Sequence, residues 1–428
     1  MQNRRKFLAQ AACLTTIPFI GSVMDALAIN NVAGKSTILL RSSWQTVNIG
    51  DIGHTFGIME LFERYIPEVD IVLWPISINN GVDELLKAKF PKLKIVMGKI
   101  NQGIPDTDEL KNAFDNCQLM VHGSGPWVAA SGDLATWSKT TSKPFGIYGI
   151  SLEQASNELK ELLNKAAFFY ARDTISLKFV KSLNLNIPVV EFAPDATFAI
   201  NLHNEAKAES YLKSVGLKAG EFICAIPRLR HTPYFQIRNL APTAEEKKKY
   251  DYALQYKEID AAKLREVMIR WVRETNMKVL ACPEMTYQVA MAKEVLVDPL
   301  PEDVKKNVVW RDRYWNPDEA GSVYAKARAL VSYEMHSPII AFTEGVPSIH
   351  LKQPTDTTKG QMWSDIGLSD WLFEIDTTTG AQIGDTLMEI HKNYDAAKGK
   401  LQKADKFVKS RQQISIGFIG DQLKSQKN

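Results

Sequence analysis

The chain has 428 residues, 45% of them apolar, with 52 lysines and arginines against 49 aspartates and glutamates and a formal charge of +3. Such a length suggests two or three domains with ordinary cores, and the mixed, nearly balanced charge argues against a nucleic-acid partner. Four cysteines, Cys13, Cys117, Cys224 and Cys282, lie too far apart for a zinc ribbon or a C-x-x-C redox pair, so neither a metal nor a cofactor is expected.

The N-terminus carries Asn3-Arg4-Arg5-Lys6-Phe7-Leu8, an apolar run over residues 11–23, and then Ala26-Leu27-Ala28. Paired arginines ahead of a short apolar core and an A-x-A site read as a twin-arginine signal peptide over residues 1–28, with an ordinary basic Sec leader as the competing reading. Either leader exports the product to the periplasm or beyond. No later run has the length of a transmembrane helix.

A strand is expected at 36–40, then a Gly-containing turn, Asn48-Ile49-Gly50-Asp51-Ile52-Gly53-His54, leading into a helix at 56–65. Asn48 and Asp51 are candidate caps, and the glycines let backbone N–H groups approach an anionic or hydroxylated ligand near His54; a capped helix start without a ligand explains the same residues. Strands follow at 71–76, at 93–97 and up to Val121, where His122 and Ser124 fall at a carboxyl end. Residues 145–150 read as a strand, 152–164 as a helix and 167–170 as a strand. Thr174 is the expected cap of the next helix, through Leu183, which leaves Arg172 to bind an anion or to pair with a carboxylate. A strand at 189–192 ends in Pro194-Asp195. Alternating strands and helices make residues 29–215 one α/β domain with a parallel sheet.

A second run of the same kind spans 216–385, joined to the first near residues 206–219. Its opening strand, 222–226, ends in Pro227-Arg228-Leu229-Arg230-His231, a basic cluster, and a charged, aromatic insertion to about Tyr256 reads as an exposed excursion. A helix at 262–276 precedes a strand at 278–281 ending in Pro283-Glu284; a helix at 287–295, a strand at 308–310 and a helix at 317–326 come next. The stretch 327–351 is the focus of the chain. Between a strand at 329–332 and a helix at 337–343 stand Glu334 and His336, where open α/β sheets place ligands. A helix-capping Glu334 with a locally bonded His336 explains the pattern equally well. Strands at 347–351 and 372–375 close the sheet, and residues 386–428 read as a charged helical tail. Two such domains bind ligands in the cleft between the carboxyl ends of their sheets.

Several segments, in order along most of the mature chain, resemble the polysaccharide pyruvyl transferases. Asn48-Ile49-Gly50-Asp51 is similar to that family's N-x-G-D turn, and Gly123-Ser124-Gly125 to its Gly-rich strand end. Arg172-Asp173-Thr174-Ile175-Ser176 is similar to R-D-x-x-S, and Pro194-Asp195-Ala196-Thr197-Phe198 to D-P-A-F. Tyr333-Glu334-Met335-His336-Ser337, with Ala341 and Gly345-Val346-Pro347, is similar to R-L-H-S followed by A and G-V-P. The resemblance implies an α/β fold of two Rossmann-like domains facing across a cleft, GT-B-like. It also implies transfer of a pyruvyl group from phosphoenolpyruvate to paired sugar hydroxyls of a polysaccharide or oligosaccharide, with Arg172 holding the anionic donor and His336 acting as acid or phosphate ligand.

Glu334 stands where the family has an arginine, and a carboxylate there repels phosphoenolpyruvate instead of clamping it. Arg228, Arg230 or His231 across the cleft are the residues available to replace that charge. Export adds a second condition, because phosphoenolpyruvate is a cytoplasmic metabolite. Three readings follow: a pyruvyl transferase-like enzyme acting on a glycan outside the cytoplasm; a glycan-degrading hydrolase or lyase, including ketal removal, that pairs Glu334 with Glu284 or Asp195 as acid and base; and a carbohydrate-binding protein without catalysis, stacking sugars on residues such as Trp127.

Overall fold

The computed structural model describes residues 35–425, so the leader assigned to residues 1–28 lies outside the described residues. Among those described, no helix is long and apolar enough to cross a membrane.

Two parallel sheets carry the fold. The first is built from β1 (Thr37–Ser42), β2 (Asp70–Pro75), β3 (Lys94–Ile95), β6 (Leu119–His122), β7 (Phe145–Ile150), β8 (Phe168–Ala171) and β9 (Val190–Phe192), in the order β3-β2-β1-β6-β7-β8-β9. Between β3 and β6 a small antiparallel pair, β4 (Ile100–Asn101) and β5 (Ile104–Pro105), stands apart. The second sheet holds β10 (Phe222–Ile226), β11 (Lys278–Ala281), β12 (Val308–Trp310), β13 (Ala329–Ser332), β14 (Ser348–Lys352) and β15 (Leu372–Glu374), in the order β12-β11-β10-β13-β14-β15. Helices on both faces bury strands such as β7 and β10 throughout, which explains their unbroken apolar runs. The architecture is α/β, two Rossmann-like domains facing across a cleft.

In both sheets the first strand is central and the chain reverses direction around it. Leu40 of β1 pairs with Leu73 on one side and Val121 on the other; Cys224 of β10 pairs with Leu280 and Leu330. Each reversal opens a crevice at the carboxyl ends of the strands. The loops after β1, β10, β11 and β13 therefore meet. Ile49 N–H donates to Glu284 O at 3.1 Å and Thr286 N–H to Val47 O at 3.1 Å, a direct backbone link between the two halves at the floor of the cleft.

Three local expectations are corrected. The Gly-containing turn at 48–54 is already helix: Ile49–Tyr65 begins at once because Asn48 Oδ1 accepts from Gly50 N–H at 2.7 Å, so that N–H is not offered to a ligand. Asp173, not Thr174, caps helix Thr174–Ser182, accepting from Ser176 N–H at 2.7 Å. The charged insertion belongs largely to helix Ala244–Thr275, started by a Thr243–Glu246 capping box and free of glycine or proline along its length. The C-terminal tail is helical, as expected, and is packed on both cores. Helix Tyr394–Ser425 buries Leu401 and Val408 in the second core and Ile416, Ile419 and Leu423 in the first, and Arg411 Nη2 donates to Phe192 O at 2.7 Å.

Candidate active site

The cleft holds a cavity of about 430 Å³ whose walls include Asn48, Asp51, Arg172, Arg228, Glu334, His336 and Lys359. Helix Ile49–Tyr65 forms its floor, with Asp51 at the first turn and His54 one turn further, fully buried. Opposite, Glu334 and His336 leave the end of β13, and His336 opens helix His336–Thr343. A Cβ on Gly50 would stand 2.2 Å from His336 Cγ, so glycine at this position is what admits the imidazole.

Behind His336 lies a polar cluster drawn from both halves. His54 Nε2 and His336 Nε2 are 3.0 Å apart, and Asp195 Oδ2 is 3.3 Å from His54 Nε2. Arg172 Nη1 donates to the same carboxylate oxygen at 2.8 Å, and its Nε donates to Ser151 Oγ at 2.8 Å. Burial opposes ionisation of Asp195, but His54 and Arg172 outweigh it and hold its pKa well below the usual carboxylate range. Burial, then the neighbouring His54, push His336 down to about 3, against the pull of Asp195 and Asp51. His336 is thus a neutral imidazole whose Nε2 meets His54. Arg172 borders the cavity and, of the two roles weighed for it, holds the salt bridge, to Asp195.

Glu334 sits in a second network. Its Oε1 accepts from Gln288 Nε2 at 2.7 Å and lies 3.3 Å from Arg228 Nε, while its Oε2 is 3.8 Å from Lys359 Nζ. Arg228 also binds Asp356 and donates to Gln353 Oε1 at 2.9 Å. Burial raises the Glu334 pKa, with Arg228 working against the shift and Glu284 adding to it. Of the three residues considered to compensate Glu334, Arg228 is the one in contact. Arg230 lines the cavity but is tied to Asp260 and Asp376, and His231 stands at the wall near Lys249.

Glu284 does not line the cavity; it is buried beneath it, accepting from Ser337 N–H at 2.6 Å, with Oε1 3.5 Å from His336 Nδ1. Burial raises its pKa, opposed by the Ser337 hydrogen bond. His122 and Ser124 are not brought to the cleft. His122 is fully buried, donates from Nδ1 to Gly123 O at 2.7 Å, accepts from Ala130 N–H at 3.2 Å, and is covered by Trp44. Ser124 Oγ is spent accepting from Ala196 N–H at 3.0 Å. Lys359, Asp356 and Gln288 were missed, since they lie on loops or inside a helix with no motif around them.

The polysaccharide pyruvyl transferase family model matches residues 48–353. No curated protein matches the sequence. Among solved structures, a putative UDP-N-acetylglucosamine 2-epimerase from Listeria monocytogenes aligns at 11% identity and a TM-score of 0.55, over 86% of this chain and 91% of that one. UGT71G1 from Medicago truncatula, complexed with UDP-glucose, aligns at 10% identity and a TM-score of 0.53, over 91% and 98%. The UDP-GlcNAc 2-epimerase of Methanocaldococcus jannaschii aligns at 15% identity and a TM-score of 0.54, over 84% and 93%. At these identities the likeness is one of fold.

Proposed function

The chain belongs to the polysaccharide pyruvyl transferase family, and from that premise we propose that this transferase moves a pyruvyl ketal between glycan hydroxyls in the cleft, outside the cytoplasm. The observation that carries the reading is Glu334, a buried acid held between Arg228 and Lys359 where the family pattern has an arginine. A pyruvyl ketal has one carboxylate and two acid-labile C–O bonds. It asks for a cation and a proton donor, whereas phosphoenolpyruvate adds a phosphate that a carboxylate at position 334 repels.

Glu334, with its pKa raised by burial, gives a proton to one ketal oxygen, and that C–O bond breaks. The pyruvyl carbon becomes an oxocarbenium ion whose carboxylate faces Arg228 or Arg172. An acceptor hydroxyl adds to the carbon and its proton returns to Glu334; a second round at the other oxygen completes the transfer. Water as acceptor releases free pyruvate by the same steps. Trp127, which is 59% exposed, with Tyr234, Phe235 and Tyr250 at the same cavity, offers ring faces for sugars. The export reading rests on the Arg4-Arg5 pair and the apolar run of residues 11–23, and a ketal already on a glycan is a donor that needs no cytoplasmic metabolite.

A second reading, the family's use of phosphoenolpyruvate, is favoured by the cations Arg172, Arg230 and Lys249 on the cavity wall. The test incubates the mature protein with a pyruvylated polysaccharide and a plain acceptor, with and without phosphoenolpyruvate, and follows the ketal methyl by NMR. Ketal on the acceptor without phosphoenolpyruvate supports the first reading; ketal formed only with it supports the second.

A further inference from the structure

We propose that His54, Asp195 and His336 form a binding site for one first-row divalent metal ion of the zinc or manganese type. The three come from separate elements: helix Ile49–Tyr65, the segment after β9, and the first turn of helix His336–Thr343. Their ligand atoms all lie within 4.8 Å of one another. His54 Nε2 is 3.0 Å from His336 Nε2 and 3.3 Å from Asp195 Oδ2. With metal–ligand bonds of about 2.1 Å, two ligand atoms at a right angle stand about 3.0 Å apart, close to the two distances that His54 Nε2 makes.

The surroundings point the same way. Each imidazole has a carboxylate behind it: Asp51 Oδ1 is 3.8 Å from His54 Nδ1, and Glu284 Oε1 is 3.5 Å from His336 Nδ1. His54 Nδ1 and Glu284 Oε1 are both buried without a hydrogen-bond partner. Gly50, where a Cβ would meet His336 Nδ1 at 2.2 Å, allows the imidazole to reach this position. His336 borders the cavity, so the open coordination positions are reached from the cleft. An ion there supplies a Lewis acid next to Arg172, a positive charge that the arginine-to-glutamate exchange at 334 removes from the family pattern.

The test counts metal. Mature protein treated with chelator is dialysed against Zn²⁺ or Mn²⁺, bound metal is measured by mass spectrometry, and affinity by calorimetry. One equivalent per chain is expected, kept in His203→Ala and weakened on the order of 10²-fold in His336→Gln, with melting curves showing that both variants fold. Less than half an equivalent in the unmodified protein, or full affinity in His336→Gln, overturns the site. Metal bound without ketal transfer leaves the site standing and removes the functional reading; ketal transfer by a protein that binds no metal does the reverse.

Discussion

His54 and His336, separated by 282 positions, meet through their Nε2 atoms at 3.0 Å, so one from each half of the molecule closes the floor of the cleft. The contact exists because helix Ile49–Tyr65 places glycine at position 50, against the His336 ring.

Gly50→Ala and Gly57→Ala separate function from stability along this one helix. At Gly50 the new Cβ pushes on a side chain, His336, and displaces it; activity should fall on the order of 10²-fold with a modest change in melting temperature. At Gly57 the new Cβ stands 1.9 Å from Ala196 O, a backbone atom. Its cost should be mainly stability, roughly 2–3 kcal/mol, read by chemical denaturation. Equal losses of activity per unit of lost stability in the two variants would contradict the assignment of Gly50 to the site.

Arg228 neutralises two buried acids, Glu334 and Asp356. Arg228→Ala leaves both acids with Lys359 as their shared cation and should destabilise by about 3 kcal/mol. Adding Glu334→Gln removes one of these charges and should recover part of the loss. A double-mutant cycle whose two changes simply add would show that the pair is not coupled.

His122 gives the fold an acid limit. Burial, its largest perturbation, pushes it down to about 3, and both ring nitrogens are engaged as a neutral imidazole. The unfolded chain takes up this proton near pH 6.5 and the folded chain does not, so stability is fully present above that pH and is lost as pH falls toward 3. From pH 7 to pH 5 the loss at this residue is about 2 kcal/mol. Denaturation curves at the two pH values should show it in the unmodified protein and not in His122→Gln; an identical pH dependence in both would contradict it.

How much was legible follows from what each element depends on. Strands 145–150, 222–226, 278–281, 308–310 and 329–332 were readable to the residue, because each is an apolar run cut by charge, glycine or proline and is buried by local helices. Glu334 and His336 were readable for the same reason, as polar residues just past such a run. His122 and Ser124 give an identical signal, yet Trp44 and the Asp195 segment close over them; that depends on packing across the sheet. The helix start at Asn48 was hidden by Gly50 and Gly53, which leave room for His336 and for Thr197. The cluster of His54, Asp195 and His336, and the contacts of Glu334 with Gln288 and Lys359, depend on how two sheets approach each other, and no linear spacing encodes that.

The central claim is that Glu334 is the proton donor and acceptor for a pyruvyl ketal, and the rate of ketal exchange in Glu334→Gln and Glu334→Arg tests it most directly. With a pyruvylated donor and a plain glycan acceptor, both variants should lose on the order of 10² to 10⁴ in rate relative to the unmodified protein while still binding the donor. Phosphoenolpyruvate-dependent ketal formation by the unmodified protein, undiminished or improved in Glu334→Arg, would contradict the account.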